Sequence, residues 1–171
     1  MGTALWFLCT LAVAALAGVA TALALRPIRL ARAAERLSRA QRDFHRQREQ
    51  LEAKFFDRAA ASGKPRGLRW SDIRFYDDVL YARERRTGSL KALVAIDVSF
   101  EAIAGGGMED VEAVSTVRAA TAEFLYEENR WDQGRWATDG RVYFNLLPSA
   151  TVKYLASDLE LVAEEPAGGR T

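Results

Sequence analysis

Residues 89–101, SLKALVAIDVSFE, alternate between one apolar set and a second set that is mostly small or polar. The apolar set consists of Leu90, Ala92, Val94, Ile96, Val98 and Phe100. Because successive side chains of a strand point to opposite faces, this alternation predicts an antiparallel strand with one buried face and one largely solvated face. Residues 79–85 precede it across a turn at Arg86-Thr87-Gly88, so the two segments predict a β-hairpin.

The sequence on both sides of this hairpin predicts one α+β domain over residues 63–162. Further strand patterns are residues 68–75, 118–127, 135–138 and 141–146, with a favoured hairpin turn at Asp139-Gly140 between the last two. Pro148 is suited to the first turn of a helix, and the apolar spacing after it predicts a C-terminal helix that ends near residue 161. We expect an antiparallel sheet of about four or five strands, this C-terminal helix, and a disordered tail at residues 163–171.

Residues 27–62 predict a long helical stalk. Between Pro27 and Gly63 there is no Gly or Pro, and the segment is rich in residue types that favour helices. Large apolar residues recur every seven positions at Leu30, Leu37, Phe44 and Leu51, as at one seam position of a coiled coil. The companion positions Ala33, Ala40, Gln47 and Lys54 become polar along the helix. The pattern predicts either a homodimer through the four apolar residues or a helix that packs on its own domain or lies along a membrane.

The first part of the chain predicts a transmembrane anchor over residues 1–26. Residues 3–25, TALWFLCTLAVAALAGVATALAL, contain no charged side chain. As a helix they span about 34 Å, enough to cross a hydrocarbon core of about 30 Å. The alternatives are a cleaved signal peptide, with Ala22-Leu23-Ala24 as its cleavage site, and a buried core helix. The apolar run is longer than the roughly 7–15 residues of a signal peptide, which favours the anchor.

The residues after the anchor predict which side of the membrane the domain occupies. Basic residues follow the apolar run directly, beginning with Arg26, Arg29, Arg32 and Arg36. Because the Lys/Arg-rich flank of a span tends to stay in the cytoplasm, we expect a single-pass protein of the inner (cytoplasmic) membrane with a cytoplasmic C-terminal domain. These four arginines are expected to contact anionic lipid headgroups. The excess of arginine (20) over lysine (4) is typical of a GC-rich bacterial genome.

The net charge of +1 conceals two segments of opposite sign. Residues 26–66 contain 12 Lys/Arg and 5 Asp/Glu, or +7, whereas residues 67–171 contain 12 Lys/Arg and 18 Asp/Glu, or −6. An acidic domain is repelled by nucleic acid, so no nucleic-acid partner is predicted. It is instead attracted to a basic stalk, its own or that of a neighbour.

The sequence predicts neither an enzyme nor a metal or cofactor site. The only histidine, His45, lies in the stalk, where it is expected to be a solvated helix residue, and the only cysteine, Cys9, lies in the apolar run. The domain therefore lacks the residues for Ser-His, Cys-His or zinc chemistry. Gly105-Gly106-Gly107 lacks the Lys and Ser/Thr of a phosphate-binding loop and is expected to be a turn. Glu109, Asp110 and Glu112 lack the spacing of a calcium loop.

These features predict a protein-interaction or scaffolding module at the membrane, with an unidentified protein partner. Exposed aromatic residues are common interface anchors, and the candidates are Trp131, Trp136 and Tyr143, whose alternative role is packing in the core. The alternative function is a membrane-tethered sensor that binds a small ligand. A pocket of a few hundred Å³ with converging polar groups favours the sensor, and a filled core favours the interaction module.

Overall fold

The chain forms two compact units, Met1–Arg42 and Asp43–Thr171. The structure, a computed structural model, describes residues 2–62, 67–109, 111, 116–127 and 134–168. The first helix, α1 (Gly2–Ser62), contributes residues to both units. The two compact units meet between Arg42 and Asp43, so the last part of α1 belongs to the unit that contains the sheet, whereas the sequence pattern predicts a boundary between stalk and domain at residue 62.

The second unit is an α+β domain built on one antiparallel sheet. Its described strands are β1 (Leu68–Glu84), β2 (Leu90–Ala102), β3 (Arg118–Glu127), β4 (Arg135–Ala137), β5 (Val142–Phe144) and β6 (Leu159–Glu165), and a short helix, α2 (Pro148–Tyr154), precedes β6. The strand order is β4-β3-β2-β1-β6, and β5 also pairs with β3. The predicted α+β class is confirmed, with six strands in the described sheet.

The β1–β2 hairpin is the centre of the sheet. Its pairing runs from Leu68 with Ala102 to Arg83 with Leu90, and Gly88 adopts a positive φ of 76° in the turn. The structure buries both faces of β2 between Leu90 and Ile96, so the prediction of one largely solvated face was wrong there. Helix α1 packs on one face of the sheet and α2 on the other, which is why Lys91 and Leu93 are buried as well.

Aromatic side chains of α1 form the core on the first face. The Phe44 ring lies 5.0 Å from the Trp136 ring and 5.4 Å from the Phe124 ring, measured between centroids. The Phe55 ring lies 5.7 Å from that of Phe75 and 5.5 Å from that of Phe124. Edge-to-face and tilted arrangements at these distances are the favoured geometries of aromatic pairs.

Burial on the sheet corrects the predicted stalk seam. Phe44 and Leu51 are 1% and 2% exposed in the core of their own domain, so in this structure they are not available for self-association. Leu30 is 62% exposed and Leu37 is half-buried, and both lie in the first unit. The four residues of the seven-residue spacing therefore lie in two different environments. From Asp43 onward the helix packs on its own domain, which is the alternative to a coiled coil that the sequence left open.

The second face is covered by α2 and closed by β6. Val152 and Leu155 pack on a cluster formed by Leu80, Ala82, Leu93 and Leu159. The predicted C-terminal helix ends at Tyr154 rather than near residue 161, and the predicted tail begins inside β6. The reason is backbone pairing, since β6 completes a ladder with β1 that runs from Glu84 with Leu159 to Val79 with Glu165. Residues 169–171 of the predicted tail lie outside the described residues.

Replacing Phe44 with alanine is expected to lower the free energy of unfolding by about 3–5 kcal/mol, because the ring contacts Tyr81, Phe124 and Trp136 in a filled core. Urea unfolding of the full-length protein in detergent, followed by tryptophan fluorescence, measures the change. Glu49→Ala, at an exposed position of the same helix, is the matched control and should change the value by no more than about 0.5 kcal/mol. A loss under about 1 kcal/mol for Phe44→Ala would contradict this packing.

Candidate functional site

The first unit exposes a long apolar helical surface. Its exposed large side chains are Trp6, Leu11, Val13, Leu16, Val19, Leu23, Leu25, Ile28 and Leu30. By length and composition, this helix near the N-terminus is sufficient to cross a membrane. Soluble proteins seldom expose contiguous apolar surface of this kind. The surface is therefore consistent with a single transmembrane helix.

The two units carry opposite net charges when they are divided as the structure divides them. Residues 1–42 contain 6 Lys/Arg and 1 Asp/Glu, or +5, and residues 43–171 contain 18 Lys/Arg and 22 Asp/Glu, or −4. The predicted headgroup ligands Arg26, Arg29, Arg32 and Arg36 are all exposed. Within the described part of the chain, the ion pair of this basic segment is Arg39 with Glu35, at 3.2 Å. The four arginines thus keep their charge available to an anionic surface.

The predicted partner-binding aromatic residues do not form an exposed patch in the described structure. Trp136 is only 4% exposed, and its ring centroid lies 5.0 Å from that of Phe44 and 5.1 Å from that of Tyr126. Trp136 is therefore a core residue and not the surface anchor that the sequence predicted. Tyr143 is partly buried and donates a hydrogen bond to Glu123 Oε2 at 3.0 Å. Trp131 lies outside the described residues.

A buried ion pair links β2 and β3 on the face that α2 covers. Lys91 Nζ lies 3.3 Å from both carboxylate oxygens of Glu123, whose side chain is 1% exposed. Arg141 approaches the same carboxylate at 3.9 Å, and Glu84 approaches Lys91 at 3.8 Å. The strand alternation placed Lys91 on the side opposite the apolar set, where Leu93 and Ala95 were the signal that this side would be buried.

Two groups beside the ion pair, Tyr143 and Arg141, have raised pKa values. Burial, followed by the negative charge of Glu123, raises the pKa of Tyr143 to about 12. The hydrogen bond to Tyr143 and the charge of Glu123 raise the pKa of Arg141. Every buried side-chain polar atom of the described residues has a hydrogen-bond partner. A cluster whose charges neutralise each other in this way stabilises a polar core and presents no free acid or base to a substrate.

His45 is exposed, as expected, and it also joins α1 to the terminal strand. Its Nε2 lies 2.7 Å from Glu165 Oε2 on β6, and the hydroxyl of the buried Tyr81 donates to the same oxygen at 3.2 Å. Burial and the Glu165 charge raise the pKa of Tyr81. The helix is thereby connected to the last strand of the sheet by a contact between residues far apart in the sequence, which spacing rules do not detect.

A bulge in β1 is held by Arg48 of α1. The β1–β2 register shifts between Phe75 and Val79, which leaves backbone carbonyls of the bulge without strand partners on β2. The Arg48 guanidinium donates to the carbonyls of Tyr76 and Asp77, the latter at 3.1 Å, and its Nε donates to Glu52 at 2.7 Å. These hydrogen bonds from the helix to the carbonyls of the bulge hold the backbone in place as far as Asp78.

A small pocket lies beside this bulge, at the start of α2 and the end of β6. Its volume is about 140 Å³, and it is lined by Asp78, Val79, Leu80, Ala95, Leu147, Pro148, Ser149 and Glu164. Small-molecule sites commonly measure about 300–1,000 Å³, so this cavity is too small for a typical cofactor.

The glycine run forms a structural turn. Gly105 and Gly107 have φ angles of 79° and 72°, and a Cβ added to Gly106 would lie 2.6 Å from Gly67 Cα. Backbone N–H groups of Glu109 itself and of Gly105 lower the pKa of the Glu109 carboxyl. Asp110 and Glu112 lie outside the described residues, and the described ranges contain no group of three or more His, Cys, Asp or Glu arranged to hold a metal ion.

Comparison of this chain with protein-family models, with curated proteins and with solved structures found no match.

Changing Tyr143 to phenylalanine is expected to make the stability of the domain less sensitive to alkaline pH. The pKa of Tyr143 is about 12 in the folded protein and about 10 when unfolded, so its stabilising contribution is complete below pH 10 and is lost as the pH rises through 12. Because the side chain is only partly buried, we expect this loss to amount to about 1 kcal/mol. Urea unfolding across this pH range measures it, with exposed Tyr154→Phe as the control. Equal pH slopes for Tyr143→Phe and the wild type would contradict the expectation.

Proposed function

We propose that this chain is a single-pass protein of the cytoplasmic membrane whose α+β domain is a protein-interaction or scaffolding module. The observation that carries the proposal is the contrast between the two units. The helix of the first unit exposes large apolar side chains from Trp6 to Leu30, whereas the core of the second unit is filled on both faces of its sheet. The exposed apolar surface of the helix is stabilised by lipid. Because the core of the domain is filled, a protein partner would bind on the outer surface of the domain.

The arrangement of polar groups supports an interaction module over a sensor or an enzyme. The pocket at the start of α2 has a volume of about 140 Å³, below the roughly 300–1,000 Å³ of typical small-molecule sites. The buried charges Lys91 and Glu123 neutralise each other, and Glu165 is shared by His45 and Tyr81. These carboxylates already have protein partners, so they are poor candidates for general acid or base catalysis.

The basic flank supports a cytoplasmic domain and contact with anionic headgroups. Arg26, Arg29, Arg32 and Arg36 follow the apolar run, and each Lys or Arg near an anionic bilayer contributes about 1 kcal/mol of attraction. We further propose that Leu30 and Leu37 are the stalk residues available for a homodimer, since Phe44 and Leu51 are committed to the core.

The full-length protein should remain in the membrane pellet after washing at high salt and at alkaline pH, because a transmembrane helix is held by apolar burial and not by surface charge. In intact spheroplasts a C-terminal tag should resist added protease, and it should be cut once the membrane is permeabilised. Release by the wash would contradict the anchor, and digestion in intact spheroplasts would reverse the proposed side. A periplasmic and a cytoplasmic marker protein provide the controls.

Chemical crosslinking in intact cells, followed by purification of the tagged chain, should yield a discrete adduct that depends on the folded domain. The comparison variant is Phe44→Ala with Phe55→Ala, which removes both α1 rings from the domain core and leaves the apolar residues 3–25 unchanged. The adduct should be lost in this variant while the chain stays in the membrane fraction. An unchanged adduct would assign association to the helix of the first unit, and the absence of any adduct would contradict the interaction module.

A further inference from the structure

The pocket beside the β1 bulge combines an apolar floor with acidic residues in its lining. Side chains and backbone of Val79, Leu80, Ala95, Leu147 and Pro148 supply the apolar part. Asp78 from the bulge and Glu164 from β6 supply two exposed carboxylates, and Ser149 adds a hydroxyl. Leu147 is itself 54% exposed, so the apolar floor is open to an incoming side chain.

The two carboxylates of the pocket differ from the acids next to them. Asp77 lies 3.9 Å from Arg48, Glu160 lies 3.5 Å from Arg85, and Glu165 is bound by His45. Among the residues that the structure describes, no Lys, Arg or His nitrogen lies within 4.0 Å of the carboxylate of Asp78 or Glu164. The pocket therefore has uncompensated negative charge beside an apolar cavity.

We propose that this pocket binds an arginine side chain from the basic segment, residues 26–42, of a second copy of the chain. Arginine has an aliphatic stem that packs on apolar surface and a planar guanidinium that binds carboxylates through paired hydrogen bonds. The floor accommodates the stem, and Asp78 and Glu164 receive the guanidinium. The inference rests on the proposed function, because it specifies the site and the ligand of the interaction module.

Charge complementarity identifies the second copy as the source of the arginine. Residues 1–42 carry +5 and residues 43–171 carry −4, so each copy presents both halves of the interaction. Arg32 and Arg36 are exposed and four residues apart, which places them on the same side of α1. In the described structure neither has an ion-pair partner. Two copies anchored in one membrane also meet at a higher effective concentration than two copies in solution.

A charge-swap experiment on the full-length protein in zwitterionic nanodiscs tests this contact. One variant reverses the pocket, Asp78→Lys with Glu164→Lys, and the other reverses the segment, Arg32→Glu with Arg36→Glu. We expect each variant alone to self-associate at least about tenfold more weakly than the wild type, as measured by fluorescence energy transfer between labelled copies. A mixture of the two variants should recover most of the wild-type transfer, because each segment then meets a pocket of opposite sign.

The matched control reverses two exposed acids away from the pocket, Asp72→Lys with Asp158→Lys, and it should retain wild-type association. A second pocket variant, Asp78→Asn with Glu164→Gln, guards against misfolding, and both pocket variants must unfold at the wild-type temperature. Wild-type transfer in either folded pocket variant would overturn the proposal, as would failure of the mixture to recover transfer. Absence of transfer in the wild type would overturn it as well. If the crosslinked adduct of the folded domain persists in such a case, the interaction module stands and only this pocket is excluded.

Discussion

The packing of two α1 rings on one ring of the sheet is the contact on which the domain depends. Phe124 of β3 lies 5.4 Å from Phe44 and 5.5 Å from Phe55, so two positions about three helical turns apart pack on a single strand residue. Aromatic pairs of this kind add to the apolar area that they bury. Without them, the face of the sheet that carries Tyr81, Phe124 and Trp136 would be exposed to water. The last part of α1 is thus a structural layer of the domain.

Polar contacts at the margins of this core hold the strands in one arrangement. Arg48 satisfies the carbonyls of the β1 bulge, and His45 binds Glu165 at the end of β6, so helix residues three positions apart hold two different strands. On the other face, Thr151 of α2 donates through its hydroxyl to Thr121 at 3.1 Å. Buried polar groups are costly when they lack partners. Each of these contacts therefore favours one strand arrangement over its alternatives.

The sequence predicted those elements whose signal is local. Alternation in residues 89–101 identified β2, and the turn at Arg86-Thr87-Gly88 identified its hairpin with β1. The two-sided burial of β2 was less predictable, with Leu93 and Ala95 as its local signal, since it depends on α2 and on β6, which pair or pack with residues far away in the sequence. The Lys91–Glu123 pair was missed for the same reason. A lysine on the polar side of a strand is ordinarily solvated, and only the tertiary fold places it against a carboxylate.

The stalk shows that a correct local pattern does not determine which surface covers it. Spacing by seven residues specifies that Leu30, Leu37, Phe44 and Leu51 lie on one side of a helix, but it does not specify what covers that side. In the structure the last two are covered by the sheet of their own domain.

The opposite net charges of the two units can be predicted more securely than the packing partner of a helix face, because net charge depends on composition and not on packing. It keeps its sign when the boundary is placed at Arg42, with +5 on one side and −4 on the other. An anionic bilayer attracts the first unit and repels the second within a Debye length of about 8 Å. The acidic domain is therefore complementary in charge to a cationic surface, and the exposed arginines beside the apolar run carry positive charge on every copy of the chain.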